Sequence, residues 1–375
     1  MPVLAARHRP GNAAGGAAFS LPRPEQKGYV CARGSITTRT GELTATPCTE
    51  SKARTVSMNQ ALAASLERRD PEAIPMRRAG NLFVELTKAR LSTLVLATTA
   101  VGTVLASIGP IDGWRLLWTL AGTALAAFGA NALNQILEAP QDGRMIRTRN
   151  RPIPAGRIHP RRATGLALVL AVAGPVCLAM LVNLLTAALA TITIVIYVGV
   201  YTPLKRMTSL NTLMGAVCGA IPPMIGWAAV TGRLDVGAWV LGLLLFIWQI
   251  PHFLALAWMY REDYARGGFR MLPVNDPSGR ITFQVTVLYA LALLPLGPLA
   301  AVTGIAGWTA AIGTVLLGAG FLAVCYRLKH ERTRASARNV FLASLLYLPL
   351  VLGLLVADRG PVSPISGTDT VSRTP

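Results

Sequence analysis

The stretch GAWVLGLLLFIWQIPHFLALAWM, Gly237 to Met259, contains no Asp, Glu, Lys or Arg. About 20 such residues cross the roughly 30 Å of a bilayer's hydrocarbon as a helix, so this run is long enough to span a membrane. Runs of the same kind recur near 91–109, 114–137, 163–182, 184–202, 212–231, 281–303, 306–326 and 339–357. Only helices and closed barrels satisfy their backbone groups in lipid, and segments of this length are helices. The expected fold is all-α, a polytopic membrane protein with a bundle of nine transmembrane helices.

Composition agrees. Of 375 residues, 52% are hydrophobic and 14% charged, against roughly a quarter charged in soluble domains. The mean hydropathy of +0.47 means more apolar residues than one buried core can absorb. A disordered chain and a small disulfide scaffold are both excluded. The formal charge of +19 would suggest nucleic acid on a soluble protein. Here it follows from basic loops facing a cytoplasmic, anionic surface, and nucleic acid is not expected as a partner. The five cysteines show no CxxC spacing that would hold zinc or an iron–sulfur cluster.

Residues 1–80 are rich in Ala, Gly, Arg, Ser and Thr and lack a sustained apolar run, as expected for a disordered basic tail. Two readings of this tail stay open: a mitochondrial transit peptide, or a start placed upstream of a true beginning at Met58. No secretory signal is expected, because the first long apolar run follows Arg90. Residues 81–357 form the membrane domain, and 358–375 a second disordered tail.

Charge alternates along the connections. Arg144, Arg147, Arg149, Arg151, Arg157, Arg161 and Arg162 follow the second run; Lys205 and Arg206 the fourth; Arg261, Arg266, Arg270 and Arg280 the sixth; Arg327, Lys329, Arg332 and Arg334 the eighth. The intervening connections carry only Asp112, Arg233 and Asp235. The positive-inside rule then puts the N-terminus and the even connections in the cytoplasm and the C-terminus outside. The connections 138–162 and 260–280 are longer than a simple reversal needs, and function is expected there.

The second run ends in Asn134, Glu138 and Asp142, at i, i+4 and i+8, which a continuous helix stacks on one face. Oxygen donors in such a row suit a hard cation, and magnesium binds through one or two carboxylates while keeping water and substrate phosphate. The competing reading is a helix end with solvated acids, but an Asn and a Glu inside an apolar run are costly unless paired or functional. Pro140 is expected to end or kink the helix, so that Asp142 reaches inward from the loop. Arg147, Arg149 and Arg151 follow directly, and arginine's planar fork pairs bidentately with phosphate oxygens. Lys205 and Arg206 read equally well as snorkelling anchors or as phosphate ligands. His252 lies beside Pro251 in an apolar run; a hydrogen-bonded structural histidine is the default, with a haem-side contact as the functional alternative. Glu262 and Asp263 are candidates for a second cation site.

The string Asn131–Asp142 with Arg147–Arg157 resembles the first Asp-rich motif of the UbiA superfamily of intramembrane prenyltransferases. Glu85–Lys88, Tyr201–Arg206, Gly219–Trp227, Pro251–Gly268 and Met271–Pro273 are similar in order and spacing to its haem-farnesylating branch. Glu138, Pro140 and Ala89 stand where the family usually has Asp, an acid and Pro. The resemblance implies helices enclosing a lipid-accessible central cavity. It implies transfer of the farnesyl group of farnesyl diphosphate to a vinyl group of haem B, with hydration to haem O, dependent on Mg2+. Glu138, Asp142, Glu262 and Asp263 would hold magnesium, with Asn134 ligating or orienting. Arg147, Arg151, Lys205 and Arg206 would grip diphosphate, Tyr201 would shield an allylic cation, and His252 would face the porphyrin. The expected setting is a bacterial inner membrane or, alternatively, the mitochondrial inner membrane, with a haem A synthase or terminal-oxidase assembly factors downstream. Within the class, a quinone precursor or chlorophyllide is the rival acceptor. From another class, an ion-coupled transporter predicts ionisable groups near the midplane, whereas the charges here gather at one face.

Overall fold

Hydrocarbon offers no water to an unpaired N–H or C=O, and every regular element of the computed structural model, which describes residues 76–359, is helical. In chain order these are α1 (Met76–Leu86), α2 (Ala89–Ala106), α3 (Gly113–Asp142) and α4 (Pro160–Leu181). Then α5 (Leu184–Ile194) runs through a π-helical stretch, Val195–Tyr201, into α6 (Thr202–Met207). After α7 (Asn211–Thr231) and α8 (Val236–Met259) come two short helices, α9 (Arg261–Arg266) and α10 (Leu272–Asn275). The last are α11 (Arg280–Ala292), α12 (Leu296–Val302), α13 (Trp308–Glu331) and α14 (Arg334–Ala357).

Eight spans are long and apolar enough to cross a membrane among the described residues, and the count reaches nine if the bent pair Gly80–Leu86 and Leu91–Ala106 is one span. The protein is a multi-pass membrane protein. The bend, 67°, sits at Lys88, whose left-handed φ of 50° breaks the helical run. The helix α1 begins at Met76, inside the stretch 1–80 expected to be tail; residues 1–75 and 360–375, where the two tails are expected, lie outside the described residues.

Apolar association in lipid gains little from the hydrophobic effect, so helices approach through small residues. Between α3 and α4, Gly129 faces the backbone of Ala171 and Gly174 that of Ala126, too close for a Cβ on either glycine. Gly102 of α2 meets Pro223 of α7, and Gly226 meets Thr99, in the same way. The largest apolar core gathers α8, α11, α13 and α14 around Trp248, Phe283, Phe321 and Tyr347. Outward, Leu168, Val169, Val172, Val176 and Met180 of α4 are exposed, as a lipid-facing surface requires.

Pro140 neither ends nor displaces α3, which continues to Asp142. The last turn is buried on the site side, and Asn134, Glu138 and Asp142 share that face.

Candidate active site

The last three turns of α3 carry the site. Glu138 Oε1 accepts from Lys205 Nζ at 2.7 Å, with side chains only 6% and 13% exposed. Asp142 Oδ2 accepts from Arg151 Nη1 at 2.6 Å. Asn134 Oδ1 accepts from Lys88 Nζ at 2.7 Å, and its amide donates to Thr202 Oγ1 at 3.0 Å. Charges buried this far are tolerated only when paired and hydrogen-bonded, and each residue of the row has a cation against it.

The partners are delivered by two backbone irregularities. At the α1–α2 bend, the amide of Gln135 donates to the carbonyls of Glu85 and Leu86, at 2.7 and 2.8 Å, and so fastens the turn that presents Lys88. The ion pair between Arg157 and Glu85 ties the following loop to the same turn. In the π-helical stretch, Thr202 Oγ1 donates to the carbonyl of Tyr197 at 2.7 Å. The rings of Tyr197 and Tyr201 stack at 5.3 Å, and Lys205 Nζ lies 4.4 Å from the centre of the Tyr201 ring. Tyr197 reaches Asn131 through its hydroxyl, at 3.3 Å, and Asn131 donates to Ser92 at 3.2 Å. A π-bulge resets which residues face a neighbour, and such stretches concentrate at functional sites.

The second long loop braces the first. Asp263 accepts from the backbone N–H of Ile146 at 2.8 Å and of Arg147 at 3.2 Å, and pairs with Arg266 at 3.2 Å. The backbone N–H of Arg270 donates to the Lys205 carbonyl at 2.7 Å, and the Asn211 amide donates to the Arg270 carbonyl at 3.2 Å. Between α10 and α11, Asp276 takes Thr282 N–H and hydroxyl on one oxygen, at 2.8 and 3.0 Å, and the Ser278 hydroxyl on the other. Burial would raise its pKa, and these hydrogen bonds outweigh that and hold the carboxyl below its ordinary value.

The residues expected to act together therefore separate. Asn134, Glu138, Asp142, Arg151, Tyr201 and Lys205 form one cluster. Asp263 is committed to the backbone of the facing loop, and Glu262 is exposed and lines a different cleft of about 390 Å3 together with Arg147. Among the described residues, no three His, Cys, Asp or Glu converge as a metal cage. Arg206 is exposed, one residue beyond Lys205. His252 accords with the structural default: its Nδ1 lies 2.8 Å from the hydroxyl of Ser344, and its ring packs on Trp248 and Phe341.

The first cluster fits magnesium by its donors. Asn134, Glu138 and Asp142 each carry a side-chain oxygen, the hard ligand that this ion takes. Asp142 Oδ1 is moreover buried without a hydrogen-bond partner, a state that is costly for a carboxylate oxygen unless a cation meets it. Lys88, Thr202, Tyr197 and Asn131 belong to the site but are not singled out by spacing. The signal for Lys88 is a cation that, with Arg90, stands just ahead of an apolar run.

The family model for the UbiA prenyltransferase family matches residues 95–363. The protoheme IX farnesyltransferase of Solibacter usitatus is 44% identical over 286 residues, covering 74% of this chain and 98% of its own. That of Salinibacter ruber is 45% identical over 278 residues, with coverages of 74% and 98%. The human mitochondrial protoheme IX farnesyltransferase is 44% identical over 280 residues, 75% of this chain and 62% of the human one. Among solved structures, a digeranylgeranylglyceryl phosphate synthase superposes with a TM-score of 0.63 at 17% identity, covering 74% of this chain and 98% of its own. A UbiA homologue from Archaeoglobus fulgidus bound to GPP and Mg2+ gives 0.53 at 14%, covering 73% of this chain and 99% of its own. At such identities these two speak for the fold.

Proposed function

The chain belongs to the UbiA prenyltransferase family, and from this we propose that it transfers the farnesyl group of farnesyl diphosphate to a vinyl group of haem B, with hydration, giving haem O and diphosphate. The observation that carries the reading is the oxygen row of Asn134, Glu138 and Asp142 set against Lys88, Lys205 and Arg151. Together with relatives named for this activity at 44–45% identity, it supports this acceptor over a quinone precursor.

The chemistry is a substitution at an allylic carbon. The bond from farnesyl C1 to oxygen breaks with its electron pair going to diphosphate, the vinyl π electrons form the new carbon–carbon bond, and water adds to the resulting cation with loss of a proton. The barrier is the negative charge gathering on the departing oxygen, so preorganised cations in a water-poor site provide most of the acceleration. Lys205 and Lys88 present ammonium groups within reach of the row, and Arg151 presents a planar fork that suits two phosphate oxygens. Magnesium, held through Asn134, Glu138 and Asp142, would supply further charge neutralisation at the leaving group. The Tyr201 ring already turns its face to a cation, Lys205 Nζ, and the same electron-rich face would shield the allylic cation. The apolar spans hold the isoprenoid, which is why both greasy substrates meet within the bilayer.

Incubating membranes containing the protein with haem B, farnesyl diphosphate and magnesium, followed by chromatography of the haems, tests the reading. Haem O is expected, and its loss on chelation of magnesium. Prenylation of a phenolic acceptor with no haem O formed would overturn it.

A further inference from the structure

The cleft of about 390 Å3 that takes Arg147 and Glu262 is bounded by three segments of the chain: the loop after α3, the α8–α9 junction and the α13–α14 turn. It is crowded with guanidinium groups; among the described residues Arg266 pairs with Asp263, and Arg147, Arg261, Arg332 and Arg334 have no acid partner. Arg147 lies over the rings of Tyr260 and Tyr264, at 5.2 and 5.8 Å, and Arg334 over Tyr260 at 6.0 Å. Arg261 lies 4.4 Å over Trp258. Among the described residues Arg332 bonds to backbone carbonyls alone, those of Lys329 and Ser278. Of the two acids in the cleft, Asp263 is consumed by Arg266 and two backbone N–H groups, and Glu262 makes no ion pair among the described residues. In the first cluster, by contrast, every carboxylate has its own cation.

Arg332 also sits in backbone that disfavours it. It ends α13 with a left-handed φ of 52°, the position where glycine is the ordinary choice. A left-handed turn at a non-glycine residue is a strain that points toward function, and here it turns Arg332 and Arg334 to the same cleft. Rings that hold guanidinium planes by their faces leave the N–H edges for an oxyanion.

We propose that this cleft binds the propionate carboxylates of the haem acceptor, a proposal that rests on the function given above. An amphipathic porphyrin needs its acidic edge held at the cytoplasmic rim while its apolar body enters the bundle. The loop that carries Arg151 also supplies Ile146 and Arg147 to the cleft, clamped there by Asp263, so one loop joins the acidic edge to the diphosphate cluster. Its volume is at the small end of ligand pockets, sized for acidic side arms and not for a whole macrocycle. Lipid headgroup phosphate would use the same guanidinium chemistry, and the test separates the two sources.

The experiment titrates haem B and its propionate dimethyl ester into the full-length protein in nanodiscs of neutral phosphatidylcholine, with and without cardiolipin, and measures farnesyl diphosphate binding in parallel. Arg334→Gln is expected to weaken haem B binding about tenfold or more, to leave the dimethyl ester unchanged, and to leave farnesyl diphosphate binding intact. Arg332→Gly removes the backbone strain, so it is expected to raise the melting temperature while lowering haem B affinity, which separates binding from folding. Equal losses for haem B and the ester, or no loss for either, overturn the proposal. So does a variant that loses cardiolipin or farnesyl diphosphate binding while keeping haem B affinity. Failure of the unsubstituted protein to bind haem B at all would overturn the function itself, and is distinguished by its independence of the variants.

Discussion

At the residue scale the Glu138–Lys205 pair is the most exacting feature. Removing one member leaves the other charge buried and alone, which costs about 3–5 kcal/mol. Lys205→Met is therefore expected to lower the thermal midpoint in detergent, whereas the double variant Glu138→Gln, Lys205→Met recovers most of that stability and still makes no measurable haem O. Recovery of activity along with stability would contradict a role in the chemistry. Asp276, outside the spans, gives a pH prediction. Its carboxyl is held below the ordinary value of about 3.9, so its stabilisation is fully present above that pH and is lost as pH falls through the lower, folded value. Asp276→Ala should cost about 1 kcal/mol near neutrality, and the difference from the parent should shrink in unfolding curves taken near pH 3. The row Asn134, Glu138, Asp142 was legible in the sequence because its spacing is local. Lys88 and Thr202 were not, because they meet Asn134 across 46 and 68 residues, and no periodicity within one helix encodes that pairing.

At the scale of elements, helices in lipid are fixed by how closely their backbones approach. Gly129 meets the Ala171 backbone, whereas Gly165 on α4 has open space around it. Gly129→Val is expected to destabilise by about 1–3 kcal/mol as the helices are forced apart, and Gly165→Ala to be neutral or slightly stabilising; detergent unfolding of the two variants checks the contrast. The apolar runs were plain from composition, since length and absence of charge suffice. The bend at Lys88 and the π-helical stretch were not. A left-handed lysine has no composition signal, and VIYVGVY, 195–201, reads like any other apolar turn until Thr202 and Asn134 fix its register. Pro140 misled in the other direction: a proline signals interruption, yet near a helix end few backbone bonds depend on it, so α3 passes through.

At the scale of the whole molecule, the basic loops dictate orientation. A single cysteine placed at Ser278 should react with an impermeant maleimide only from the cytoplasmic side, and one at Gly232 only from the opposite side. The reverse pattern would invert the proposed access of diphosphate. The two long basic loops are coupled, since Asp263 grips one and the Arg270 amide grips the carbonyl of Lys205.

The lysine on Glu138 has a thermodynamic corollary. A divalent ion arriving by itself would strand an ammonium in a dry place, and a free pyrophosphate ester would strand a carboxylate. The combination of the two satisfies both, each new guest taking over the spouse that the other has freed. Calorimetry should therefore find magnesium and farnesyl diphosphate weak as separate titrants and mutually reinforcing by one common factor, as linkage demands.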